Sequence, residues 1–169
     1  MGMFSFAKDI GEKIFNRDDA KHDAKVETKA DASTPVKSSE PSAQSVANIL
    51  LRRIQQQNLN ISDLKVKYNG TTDTAEISGK AKTQADREKA IIAIGNVQNV
   101  AKVIANIDIE EQAPESTMYT VKSGDNLSKI AQNVYGSAND YMKIFEANKP
   151  MLSSPDKIYP GQVLRIPKL

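Results

Sequence analysis

The chain has 169 residues, room for one ordinary domain or two small ones. Its 23 basic and 21 acidic residues are interspersed and leave a net charge of +2, which excludes the basic footprint of a nucleic-acid binder. There is no cysteine, so disulfide and thiol chemistry are excluded and cysteine usage does not fix the compartment.

At the N-terminus, Met3, Phe6, Ala7, Ile10 and Ile14 recur at helical spacing, with Phe4 and Phe15 alongside. This predicts a short amphipathic helix over residues 1–15, interrupted at Gly11. A glycine there can end the first turns in a left-handed conformation and bare the carbonyls before it. Three roles compete: lying on a membrane surface, for which lysines are few; a disordered tail, which the bulky apolar groups disfavour; and docking onto a neighbouring domain, the reading that fits best. The opening MGMFSFAKDIGEKIF lacks a basic n-region, an unbroken apolar stretch and a small-residue cleavage site, so it does not read as a secretory signal. No apolar run approaches the roughly 20 residues that cross a bilayer, and the expected address is the cytoplasm.

Residues 16–42 are charged, then rich in Ser, Thr, Pro and Ala with no apolar period, and predict a flexible linker. The only histidine, His22, falls inside it, which argues against metal or catalytic roles for that side chain.

An α-β-β-α-β unit is expected over residues 43–112. Val46, Ile49, Leu50 and Ile54 form a helical stripe ending near Asn58. Leu64, Val66 and Tyr68 alternate as a strand, Asn69-Gly70 turns the chain, and Ala75 and Ile77 alternate toward Gly79, a hairpin pattern. Thr83 and Asp86 read as a capping box with a short acid. The helix behind them carries Ala90, Ile91, Ile94 and Val97. Ala101, Val103, Ala105, Ile107 and Ile109 then make a period-two strand with Lys102, Asn106 and Asp108 outward. The expected architecture is a three-stranded sheet with two helices on one face.

After a linker at 113–117, residues 118–169 predict β-α-α-β. Tyr119 and Val121 alternate as a strand, and Asp125 or Asn126 caps a helix. Leu127, Ile130, Ala131, Val134 and Tyr135 form its stripe, and Gly136 stops it. Tyr141, Ile144 and Phe145 share a face of a second helix that ends before Pro150. Pro160-Gly161 turns into a closing strand carrying Leu164 and Ile166, paired antiparallel with the first. The fold class is α+β.

The residues YTVKSGDNLS, Ile144 to Asn148, and IYPGQVLRIP resemble the LysM domain over its whole length. That resemblance implies a groove for N-acetylglucosamine-containing glycans. It maps to Gly124, Asp125, Asn126 and Leu127 on one wall and Met151, Leu152, Ile158 and Tyr159 on the other. The alternative is that these residues only build turns and core. Val66 to Tyr68, AEISG at Ala75 to Gly79, and the stretch Val97 to Ile109 resemble a BON domain. The pairing, with FSFAKDIGEK and FEANKPMLSSPDKIYP, resembles a family of small bacterial potassium-binding proteins, though the linker here looks longer.

That resemblance implies a cytoplasmic K⁺ sensor, not an enzyme, that compacts on binding the ion. K⁺ is held elsewhere by rings of neutral main-chain carbonyls, whereas carboxylate cages suit Ca²⁺ and Mg²⁺. Free carbonyls collect at helix C-termini. The helix stopping at Ile94-Gly95, with the loop Asn96 to Val100 behind it, and the first helix stopping at Gly11 are the two places expected. The predicted K⁺ site is built from main-chain oxygens of Ala7, Lys8, Ile10, Gly95, Val97 and Val100. The alternative makes Gly95 a simple C-cap and Gly11 a helix defect. The expected partners are K⁺ and, in the alternative reading, peptidoglycan fragments, with no nucleic acid and no membrane span, and the chain is expected to be a monomer. A second function is a peptidoglycan-associated module holding N-acetylglucosamine glycans. Enzyme chemistry has no phosphate loop, placed histidine or juxtaposed carboxylates to support it.

Overall fold

The computed structural model describes residues 2–7 and 42–169. Expectations for Lys8, Ile10, Gly11, Ile14, His22 and the linker up to residue 41 lie outside the described residues.

Residues near the N-terminus form a strand, β1 (Gly2–Ser5), where a helix was expected. The F-S-F alternation explains the correction. Phe4 and Phe6 turn into the core, while Met3 on the opposite face is 69% exposed. A helix this short would also carry the nucleation cost of its first turn for few bonds. Strand β1 instead pairs antiparallel with β4 (Lys102–Glu111), Met3 opposite Ile104 and Phe4 opposite Val103.

The expected α-β-β-α-β order follows. Helix α1 (Ala43–Gln56) starts at Ser42, whose hydroxyl accepts from the Ser45 N–H at 3.2 Å. Strands β2 (Ile61–Asn69) and β3 (Thr74–Thr83) pair antiparallel, and the side-chain oxygen of Asn69 accepts from the N–H groups of Thr71 and Thr72 in the turn between them. Gly79 does not end β3. The register shifts between Ser62 and Lys65 on β2, and at Gly79 (φ +158°) a Cβ would lie 2.8 Å from the Ser62 carbonyl oxygen. The glycine therefore fits opposite an irregularity and lets the strand run on.

Helix α2 (Gln84–Gly95) supplies the crossover that lets β4 lie parallel to β3. The Thr83 hydroxyl accepts from the Asp86 N–H at 3.1 Å and donates to the Asp86 carboxylate at 2.7 Å. The short acid thus reaches the capping hydroxyl. The sheet order is β1-β4-β3-β2, four strands where three were expected, because β1 adds itself beside β4. Val46, Leu50 and Ile54 of α1 and Ala90, Ile91 and Ile94 of α2 pack with Ala75, Ile77, Ala81, Val103 and Ala105 in one core.

A second core lies in the C-terminal part. Strand β5 (Thr117–Thr120) pairs antiparallel with β6 (Val163–Ile166). Between them come α3 (Leu127–Tyr135), a 3-10 turn (Ala138–Asp140) and α4 (Tyr141–Ala147). Leu127, Ile130, Ala131, Ile144, Phe145, Leu152, Leu164 and Ile166 are buried together. Val134, expected on the buried stripe of α3, is 39% exposed.

Helix α2 joins the two cores. Gln84, Arg87, Glu88, Ile92 and Asn96 are buried as well as its core-facing residues. Ile92 of α2 and Val163 of β6 are buried yet belong to neither cluster. A helix buried all round is one covered on both sides. Here the sheet covers one side and β6 packs against the helix as well.

Candidate functional site

The loop from Gly95 to Ala101 follows α2 and leads into β4, with Val97 and Val100 in the first core. It starts where α2 runs out of partners, and its backbone is anchored by burying the side chains of Val97 and Val100 completely. The Asn96 N–H bonds to the Ile92 carbonyl, the Val97 N–H to that of Ile94 and the Val100 N–H to that of Val97. Surrounding elements take several carbonyls in and beside the loop. Arg53 of α1 donates to the Ala93 carbonyl at 3.0 Å, and the Tyr68 hydroxyl of β2 donates to that of Asn99 at 2.6 Å. The Phe6 N–H donates to the Ala101 carbonyl at 2.8 Å, and the N–H groups of Ala101 and Lys102 donate to the Asp73 carbonyl. Asn99, with φ 71°, sits in the left-handed region that asparagine tolerates.

The N-terminal segment reaches this loop, as docking required, but as a strand. The Phe6 ring lies over Gly95 so closely that a Cβ there would be 2.1 Å from it. Only glycine fits under the ring. Of the expected carbonyl ligands, Gly95 lies under the Phe6 ring, Val97 and Val100 follow in the same loop, and Ala7 is the residue after Phe6; Lys8 and Ile10 lie outside the described residues. The Val97 carbonyl accepts from Val100, while among the described residues no hydrogen bond reaches the carbonyls of Gly95 and Val100. Among the described residues there is no group of three or more His, Cys, Asp or Glu side chains that could hold a metal ion.

In the C-terminal part, the eight residues expected to line the two walls are largely committed elsewhere. Asn126, not Asp125, caps α3, its side-chain oxygen accepting from the Lys129 N–H at 2.8 Å. Asp125 accepts from the Lys122 N–H and the Tyr119 hydroxyl, both at 2.9 Å. The backbone hydrogen bond from Lys122 is the main reason its carboxyl is held below the usual carboxylate value, and the Tyr119 hydroxyl is pushed up chiefly by its bond to Asp125. The Gly124 carbonyl accepts from the Lys129 ammonium. Leu127 and Leu152 are buried in the core, and Ile158 packs against it. Met151 and Tyr159 both meet Asn96 of α2: the Asn96 amide donates to the Met151 sulfur at 3.3 Å, and the Tyr159 hydroxyl donates to the Asn96 carbonyl at 3.4 Å.

Asn96 is the residue that sequence reasoning placed in the loop without seeing its task. Its side-chain amide donates to the Val163 carbonyl and its oxygen accepts from the Val163 N–H, both at 2.8 Å. Two turns back, the Glu88 carboxylate accepts from Gln84, from the Ser116 N–H and from the Arg165 guanidinium. Burial alone would raise the Glu88 carboxyl, but hydrogen bonds from Gln84, Arg165 and Ser116 outweigh it and hold it below the ordinary carboxylate value. The available signal was Glu88, Ile92 and Asn96 at i, i+4 and i+8, a second stripe on a helix whose first stripe was already accounted for.

Residues 119–167 match the LysM domain family. The chain is 43% identical over 168 residues to the potassium binding protein Kbp of Escherichia coli O6:H1, covering 99% of each. A stretch of 51 residues, 30% of this chain, is 57% identical to an uncharacterized protein of Deinococcus radiodurans, of which it covers 19%. With a relative this similar along nearly its entire length, the chain belongs to the family of the potassium binding protein Kbp and carries a LysM domain.

Proposed function

We propose that this protein is a non-enzymatic, cytoplasmic K⁺ sensor whose BON-like first unit holds the ion at the Gly95–Ala101 loop. Similarity along nearly the whole chain to a protein named for potassium binding supports the ion, and the observation that carries the site is the docking of Phe6 on Gly95. Phe6, the residue before Ala7, thus meets a loop where protein donors take the carbonyls of Asn99 and Ala101 and none takes those of Gly95 and Val100 among the described residues. Carbonyls fixed by buried valines and left without donors suit a large monovalent cation, which needs neutral oxygens already in place. The main-chain oxygens of Ala7, Lys8, Ile10, Gly95, Val97 and Val100 form the proposed set. Binding draws β1 and the loop together, because the ion has affinity only for the arrangement that presents both.

The test is an amide NMR titration from K⁺-free buffer, adding KCl or NaCl at matched ionic strength. Saturable shifts with KCl alone, concentrated at Phe6, Ala7 and Gly95 to Val100, are the expected result. KCl-specific shifts elsewhere discard these residues and keep the function, and an equal response to both salts discards the sensor.

The match to the LysM family favours a second reading, in which residues 119–167 bind N-acetylglucosamine-containing glycans. The two readings assign different ligands to different units and can both hold.

A further inference from the structure

We propose that Asn96 masks one wall of the LysM groove, so that the LysM unit takes an N-acetylated glycan only after parting from α2. This rests on the second reading above, that the LysM unit has glycan affinity.

The argument begins at the edge of β6. A two-stranded sheet leaves β6 with a second edge, and its main-chain groups there need partners. Two carboxamides supply them. The Arg165 N–H and carbonyl bond to the side chain of Asn148, both at 2.8 Å, and the Val163 N–H and carbonyl bond to that of Asn96. Asn148 lies on the LysM unit itself, just after α4, and it travels with β6. Asn96 comes from the other unit, so its contact can be broken by moving one body against the other.

Asn96 also holds the wall next to that edge. The Met151 sulfur and the Tyr159 hydroxyl, both from the expected glycan wall, are turned onto it. On the opposite wall, Asp125 and Asn126 spend their side-chain oxygens on Lys122, Tyr119 and Lys129. Those bonds are internal to the LysM unit and stay when the units part, so what closure masks is the wall of Met151 and Tyr159 and the edge at Val163. Parting α2 from β6 breaks the bonds that Asn96 makes with Tyr159, Met151 and the Val163 main chain together. The Glu88–Arg165 ion pair is the second tie that must break.

The experiment is a calorimetric titration of the full chain with an N-acetylglucosamine tetramer, for the wild type, Asn96→Ala and Arg165→Ala. Amide relaxation reports whether the two units tumble together. Expected is binding about tenfold tighter or more in the variants, the usual size of a coupling between two states, with amide shifts between Met151 and Tyr159. Equal affinity in all three proteins overturns the masking and leaves the glycan reading intact. No binding by a variant whose units tumble separately overturns the glycan reading and the masking with it. Arg165→Ala, which keeps every bond of Asn96, carries the test if Asn96→Ala does not fold.

Discussion

Asn96, Asn148 and Glu88 show how much a single polar side chain decides when it is buried between elements. Each asparagine satisfies an N–H and a carbonyl on β6 that would otherwise be bare, and Asn148 adds a bond to the Ile144 carbonyl. Leaving such groups unpaired costs about 1–3 kcal/mol each, more than a typical hydrogen bond contributes. Glu88 is the corresponding charged case. Its carboxyl is held below the ordinary value in the folded protein, so its contribution to stability is present above the unfolded carboxylate pKa of about 4.3 and is lost as pH falls through the folded value. Glu88→Gln is therefore expected to lower the urea midpoint at pH 7, with the difference from wild type shrinking as the pH drops below about 4. A difference unchanged across that range would show that the charge of Glu88 is not what ties α2 to Ser116 and Arg165.

At the scale of elements, β1 and α2 carry the arrangement. Strand β1 adds a fourth strand, covers the edge of β4, and delivers Phe6 to the loop after α2. Its two faces differ: Phe4 packs on the core and Met3 is solvent-exposed. Phe4→Ala is expected to cost about 1–3 kcal/mol in urea unfolding, less than the loss for a fully buried ring, and Met3→Ala less than about 0.5 kcal/mol. Equal losses would contradict a strand with one buried face. The segment was misread from sequence because Met3, Phe6, Ile10 and Ile14 satisfy a helical period while Phe4 and Phe6 satisfy a strand period. Over so few residues, the partner decides. The partner is β4, about a hundred positions away, whose free edge is invisible to a local pattern.

At the scale of the molecule, two cores meet across one helix. Helix α2 is buried on the side of the sheet and on the side of β6, and its ties to the LysM unit are Asn96, Glu88 and the Tyr159 hydroxyl. The wild type is expected to unfold in a single calorimetric transition. Asn96→Ala, which leaves the Val163 N–H and carbonyl without their partner, is expected to lose about 2–4 kcal/mol and to split or broaden that transition. Two separate transitions in the wild type would show that the units fold independently and that the ties contribute little.

The sequence by itself determined the α+β class, the α-β-β-α-β and β-α-α-β orders, the LysM resemblance and most of both cores. These depend on periods of two and 3.6 and on caps such as Thr83 and Asn126, which act within a few residues. The register of Gly79 opposite the irregularity in β2, the conversion of residues 2–5 into a strand, and the use of Asn96 and Glu88 as links between units were decided by tertiary structure alone. So was the closeness of Phe6 to Gly95. Each of these joins groups far apart in the chain through main-chain atoms or a lone polar side chain. Such contacts have no periodicity to read, and they arise only once the hydrophobic faces have been brought together.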